Sequence, residues 1–293
     1  MRRCRIESLG TSFNGRGLRK WGSVKHAVVA GKRCLASSHY HPADVRVVIN
    51  TGVHRDGHIC EPANACYIQH GIGINTEFQG RRTLAFDLLN GGCGMLNGVH
   101  VLATQMRAGE IQVGMVVSSE ANSDHRADPA YTYPRSGAAV LIDLSPKRDV
   151  GFGAFAFHTD ETHAGLFQSV VSLKEKRGRI VLTRMAGLES AYLDAVPAVV
   201  DEALEAEGLQ REDVDLLLSA QVSPKFVGGL AQACKISSDK VVDLTASLPD
   251  THSTSLFLAL DRLLAIQRPS PGTRAVFLAV GSGITVGAAV YRF

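Results

Sequence analysis

The chain has 293 residues, 45% of them hydrophobic and 20% charged, with a formal net charge of +3. That balance fits a globular protein with a sizeable core. It makes no electrostatic case for a nucleic-acid partner and permits an acidic partner without requiring one. No run approaches the roughly 18 uninterrupted apolar residues of a membrane span. The opening Met1-Arg-Arg-Cys-Arg-Ile-Glu7 carries positive charge with no apolar run behind it, so no signal peptide is expected. The cysteines, Cys4, Cys34, Cys60, Cys66, Cys93 and Cys234, form no Cys-x-x-Cys pair. Neither a zinc nor a disulfide framework is indicated, and a reducing, cytoplasmic setting is expected.

Taken in chain order, the elements occur twice. Residues 26–51 read as a helix (Ala27-Val-Val-Ala30), a polar turn (His41-Pro-Ala-Asp44) and an apolar strand (Val45 to Asn50). A loop and a short helix with Ala65-Cys66 follow, then a strand ending in Asp87-Leu88, a loop, and a helix at about 94–107. The strands Val113 to Val117 and Gly137 to Ile142 close this half. Residues 197–220 repeat the opening order, with Ala198 to Leu204, Arg211-Glu-Asp213 and Val214 to Ser219. Ala233-Cys234, a strand ending in Asp243-Leu244, a helix at about 252–267 and the strands Ala275 to Val280 and Gly287 to Tyr291 complete it. Short β-branched strands alternating with helices argue for an α/β fold, with sheets covered on both faces. The halves are expected at 1–150 and 151–293. Duplication makes the loops after Asp87 and Asp243 equivalent, so Cys93 and the segment Pro249-Asp250-Thr251-His252 should meet near the centre.

The pattern resembles the thiolase superfamily, and within it the β-ketoacyl-acyl carrier protein synthase III branch, over about residues 24–293. Asp87-Leu-Leu-Asn-Gly-Gly-Cys93-Gly94 is similar to that family's nucleophile motif, with one extra residue after the Asp and Gly92 in place of Ala. Glu120 fits the acidic position after the next strand, and Gly281-Ser-Gly-Ile-Thr-Val-Gly287 resembles the glycine-rich last turn. The resemblance implies a duplicated thiolase fold with αβαβα layers, and a homodimer. It also implies an acyl group delivered by acyl-CoA or by the phosphopantetheine arm of an acyl carrier protein, with no resident cofactor. The departures bear on the chemistry. Where the family has its His, this chain has Ala220 within Ser219-Ala-Gln221-Val-Ser223. Where it has its Asn, the chain has Asp250, with His252 two residues on. Glu61-Pro62 is similar to bacterial enzymes that join two fatty acyl thioesters head to head, in which the Glu reaches the partner's active site. Those relatives keep the His and Asn.

Cys93 is the expected nucleophile. At a helix N-terminus the free N–H groups and the helix dipole favour a thiolate; an inert buried thiol is the alternative. His252 is the candidate base, with Asp250 to orient it; a helix-capping role is the alternative. Glu61 is either a catalytic carboxylate or a charge placed favourably at a helix start. Ser219, Gln221 and Ser223 are candidate substrate contacts, or simple replacements in a polar pocket. The resemblance implies an oxyanion hole from the amides of Cys93 and Gly283. His54 and His58 flank Glu61 without a third ligand at suitable spacing, so no metal is expected. Arg19-Lys20 and Arg81-Arg82 either contact phosphates or form solvated surface. Phe78, Phe86 and Met95 line a tunnel or belong to the core.

The expected function is an acyltransferase that loads Cys93 and passes the acyl group to an O, N or S nucleophile. The alternatives are carbon–carbon condensation using Glu61, a non-catalytic partner of a catalytic paralogue, and a thioesterase.

Overall fold

The computed structural model describes residues 2–13, 21–75, 82–172 and 178–293. Arg19, Lys20, Phe78 and Arg81 lie outside the described residues. The first half contains β1 (Cys4–Phe13), α1 (Ser23–Ala36), β2 (Val47–Asn50), α2 (Asn64–Ile72), β3 (Leu84–Asp87), α3 (Gly94–Arg107), β4 (Val113–Glu120) and β5 (Ser136–Leu144). The second contains β6 (Gly151–Thr159), a hairpin of β7 (Phe167–Ser172) and β8 (Arg179–Arg184), α4 (Leu188–Glu205), β9 (Leu216–Ser219), α5 (Pro224–Cys234), α6 (Ser255–Ile266), β10 (Arg274–Gly281) and β11 (Thr285–Arg292).

The main sheet runs β3-β2-β4-β5-β1-β6-β11-β10-β9. Its two sides meet at β1 and β6, through the pair Cys4 and Phe152. Outward from that seam, β1, β5, β4 and β2 on one side correspond to β6, β11, β10 and β9 on the other. β2 and β4 are parallel, as are β9 and β10, and both closing hairpins are antiparallel. The repeat read in the sequence is therefore a repeat of topology. One strand departs from it. Instead of a strand ending at Asp243, there is a single parallel bridge between Leu217 and Val241. The Gln221 side chain occupies the main-chain groups there, donating to the Val242 carbonyl (3.2 Å) and accepting from the Leu244 N–H (2.7 Å). A side chain thus satisfies polar groups that a longer ladder would have used.

Alternation along the strands separates three cores. In β10, Ala275, Phe277 and Ala279 face the central core, which also holds α3 and α6. Val276, Leu278 and Val280 face the core under α4 and α5. On the other side, α1 and α2 cover Val113, Met115 and Val117 of β4. The result is the αβαβα arrangement, with α3 and α6 between the two half-sheets. Met95 and Phe86 belong to the central core.

Candidate active site

Cys93 ends a 3-10 turn over Gly91–Cys93 and caps α3. The turn lies hard against β10: a Cβ on Gly92 would sit 2.2 Å from the Val280 carbonyl oxygen. Gly91 adopts φ +50°, where glycine carries no Cβ penalty. Cys93 is fully buried, its Sγ lies 3.5 Å from the Thr285 carbonyl, and its amide donates to the Asn90 carbonyl at 3.0 Å. Burial pushes the thiol up to about 12, and the Gly287 main chain opposes this only in part. Desolvation thus favours the neutral thiol over the expected thiolate.

The cavity beside this turn measures about 20 Å³, room for about one water-sized molecule. Gly92, Ala220, Val222, Tyr133, Arg184 and His252 line it, together with Asp250. The expected contacts Ser219, Gln221 and Ser223 are not among its walls. Ser219 is buried, Gln221 holds the Val242–Leu244 main chain, and Ser223 caps α5 by accepting from the Phe226 N–H. Ala220 and Val222 face the cavity instead, and the Val222 N–H closes a tight turn onto the Ala220 carbonyl at 3.0 Å.

His252 begins the 3-10 turn His252–Thr254 that leads into α6, with φ +53°. Its main-chain N–H donates to Asp250 Oδ1 at 2.8 Å. The carboxylate that holds its ring is Glu120, at the end of β4, rather than Asp250: His252 Nδ1 donates to Glu120 Oε1 at 3.2 Å. Asp250 instead pairs with Arg184 (3.3 Å) from β8, and that guanidinium also donates to the Tyr133 hydroxyl (3.0 Å). Burial raises the Asp250 carboxyl, and His252 and Arg184 offset this only partly.

Glu120 is fully buried. Burial pushes its carboxyl up, but His54 and His252 outweigh that and hold it well below the usual carboxylate range. His54 Nδ1 donates to Oε2 at 2.5 Å, and the Ser253 hydroxyl donates to Oε1. Burial lowers the His252 imidazole, Glu120 more than restores it, and the net direction is up. The ligating atoms of His54, Glu120 and His252 lie within 4.8 Å of one another, and that donor set suits a zinc ion. In this arrangement the set is closed by hydrogen bonds, one imidazole to each carboxylate oxygen.

Sequence reasoning treated His54 as a flank of Glu61 and missed this cluster. Its partner is 66 positions away, and only the β2–β4 pairing brings the two together. Glu61 is exposed and borders a separate cleft of about 580 Å³ with His54 and Ser169. The α2 amides of Asn64 and Ala65 are taken by Asp87 rather than by Glu61. His58 pairs with Asp124 at 2.8 Å and His163 with Asp160 at 2.8 Å, while His158 and Arg82 are exposed. Gly283 lies between β10 and β11 with φ +132°.

Residues 204–293 match the family model described as 3-oxoacyl-[acyl-carrier-protein (ACP)] synthase III C terminal. The β-ketoacyl-[acyl-carrier-protein] synthase III of Sodalis glossinidius is 28% identical over 240 residues, covering 79% of this chain and 73% of that protein. The Methylococcus capsulatus protein of the same name is 25% identical over 276 residues, covering 91% and 83%. Among solved structures, the priming β-ketosynthase of the R1128 polyketide pathway superposes with a TM-score of 0.85 at 20% identity, covering 100% of this chain and 97% of that one. Xanthomonas campestris OleA with bound lauric acid and lauroyl-CoA gives 0.84 at 17%, covering 99% of each. The fold is the thiolase fold. Over most of its length the chain is similar to β-ketoacyl-[acyl-carrier-protein] synthase III proteins. Among the described residues, no helix is long and apolar enough to cross a membrane.

Proposed function

We propose that the chain is an enzyme that forms a thioester on Cys93 and passes the acyl group to an O, N or S nucleophile, with His252 as the base. The observation that carries this is the Glu120–His252 hydrogen bond at the wall of the cavity beside Cys93, where Ala220 and Asp250 replace the family's His and Asn. With Nδ1 committed to Glu120, Nε2 is the nitrogen left for the cavity. It removes the Cys93 proton as sulfur attacks the donor carbonyl; the donor C–S bond breaks and its thiolate takes that proton. In the second half, Nε2 removes the acceptor's proton as the acceptor attacks. The C–S bond to Cys93 breaks, and the proton returns to sulfur. Glu120 offsets the imidazolium charge in both halves.

The donor is acyl-CoA or an acyl carrier protein, by likeness to the named relatives. The Cys93 amide, released from Asn90, and that of Gly283 are the oxyanion donors. A cytoplasmic homodimer, its halves joined near residue 150, is the expected form. Carbon–carbon condensation is the second reading. It is supported by the synthase relatives and by exposed Glu61, which would have to be supplied to a second subunit's site.

Product analysis separates the two. Supplied with an acyl donor and hydroxyl, amine or thiol acceptors, the wild type yields ester, amide or thioester, and Cys93→Ala and His252→Ala do not. A β-keto product lost in Glu61→Gln favours condensation. No product with any donor favours the non-catalytic partner.

A further inference from the structure

We infer that His54, Glu120 and His252 form a binding site for a zinc ion between the Cys93 cavity, which His252 borders, and the outer cleft, which His54 borders. The set combines two imidazole nitrogens and a carboxylate from three separate parts of the chain: the loop after β2, the end of β4 and the turn before α6. The side chains of His54, Glu120 and His252 are 3%, 0% and 10% exposed. Tetrahedral zinc, bound at about 2.1 Å, holds its ligand atoms about 3.4 Å apart. Here His54 Nδ1 lies 2.5 Å from Glu120 Oε2, His252 Nδ1 lies 3.2 Å from Oε1, and all the ligating atoms fall within 4.8 Å of one another. Opening the tighter pair by about 0.9 Å brings it to the spacing of a zinc site.

Two imidazoles with one carboxylate favour zinc over magnesium or calcium, which take oxygen ligands. The surroundings hold the set in place. His54 Nε2 meets Ser169 Oγ of β7 at 3.0 Å, the kind of outer contact that orients a ligating histidine. The main-chain N–H groups of Val53 and His54 each donate to the Glu120 carboxylate at 3.3 Å. Tyr131 packs edge-on against His54 at 4.8 Å, and its buried hydroxyl has no hydrogen-bond partner among the described residues. It offers an oxygen beside the set, where zinc takes a fourth ligand. The outer cleft of about 580 Å³, bordered by His54 and Ser169, is the way in for the ion. Zinc on the Nδ1 atoms replaces the Glu120 contact that orients His252 as a base, so occupancy suppresses acyl transfer. That consequence, and not the site, rests on the role just given to His252.

Isothermal titration of the EDTA-treated full chain with zinc chloride tests this, with no acyl donor present. One zinc per chain is expected. His252→Ala and His54→Ala should each abolish uptake, with His54→Asn the variant to use if the Ala protein does not fold. Ser169→Ala, which removes the outer contact, should weaken binding by about tenfold. X-ray absorption at the zinc edge of the wild type, which needs no variant, should show nitrogen and oxygen ligands and no sulfur. No zinc bound, uptake retained in the folded His54 variants, or sulfur ligation by the exposed Cys60 or Cys66 overturns the proposal. Uptake is read without catalysis and Cys93 loading by intact mass, so the failure of the site and that of the acyl-transfer reading are distinguishable.

Discussion

His252 and Glu120 come from opposite halves of the duplicated fold and meet through a 3.2 Å hydrogen bond beside Cys93. The carboxylate that orients the candidate base is therefore at the end of β4 and not two residues upstream in the same loop. Glu120→Gln keeps the shape and removes the charge. Acyl transfer should fall by about 10²-fold or more, the range of a lost general-base partner, while Cys93 loading by an activated thioester falls less. Transfer and loading measured separately in the variant check this.

The same pair predicts a pH dependence of stability. The carboxyl of Glu120 is depressed in the folded protein, so its contribution is present above the unfolded carboxylate value and is lost as pH falls through the folded one. The imidazole of His252 is raised, so its contribution is complete below its unfolded value and is lost as pH rises through the folded value. Melting temperature should be highest on the mildly acidic side of neutrality, between these limits. Glu120→Gln should flatten the fall on the alkaline side; an unchanged slope would remove the coupling.

Arg184 and Asp250 form a partly exposed pair, with side chains 35% and 17% exposed. Arg184→Met leaves a carboxylate that burial already disfavours without its cation. A loss of about 1–2 kcal/mol is expected, reduced for solvent screening. Asp250→Asn should recover part of it, and a double-mutant cycle by denaturant unfolding measures the coupling.

Gly92→Ala should destabilise by about 1–3 kcal/mol, because its Cβ meets the Val280 carbonyl and main chain cannot move aside cheaply. The turn has no room for the Ala that the family likeness leads one to expect. Thermal unfolding checks it.

Much of the architecture was legible because it is duplicated. Two runs of helix, turn and strand, ending in Asn50 and Ser219, became β2 and β9 at matching sheet positions. That symmetry brings the Cys93 turn and the His252 turn to one small cavity, bordered by Gly92 and by His252. Other features depend on long-range pairing, which local pattern does not encode. His54 finds Glu120 only once β2 lies beside β4. Ser219, Gln221 and Ser223 are polar and looked like site residues. The chain after β9 turns them away and presents Ala220 and Val222 to the cavity, a matter of backbone path rather than composition. The Val241 bridge is short because a glutamine side chain took its hydrogen bonds. The burial that raises the Cys93 thiol comes from packing across the molecule, which the local motif does not encode.

The central claim is that Cys93 carries the acyl group. Intact-mass measurement after incubation with short and long acyl-CoA and acyl-carrier donors tests it most directly. One acyl adduct per chain is predicted, mapped to Cys93 by peptide digestion, absent in Cys93→Ala and retained when the exposed Cys60 and Cys66 are replaced. An adduct that persists in Cys93→Ala, or none with any donor, would contradict it.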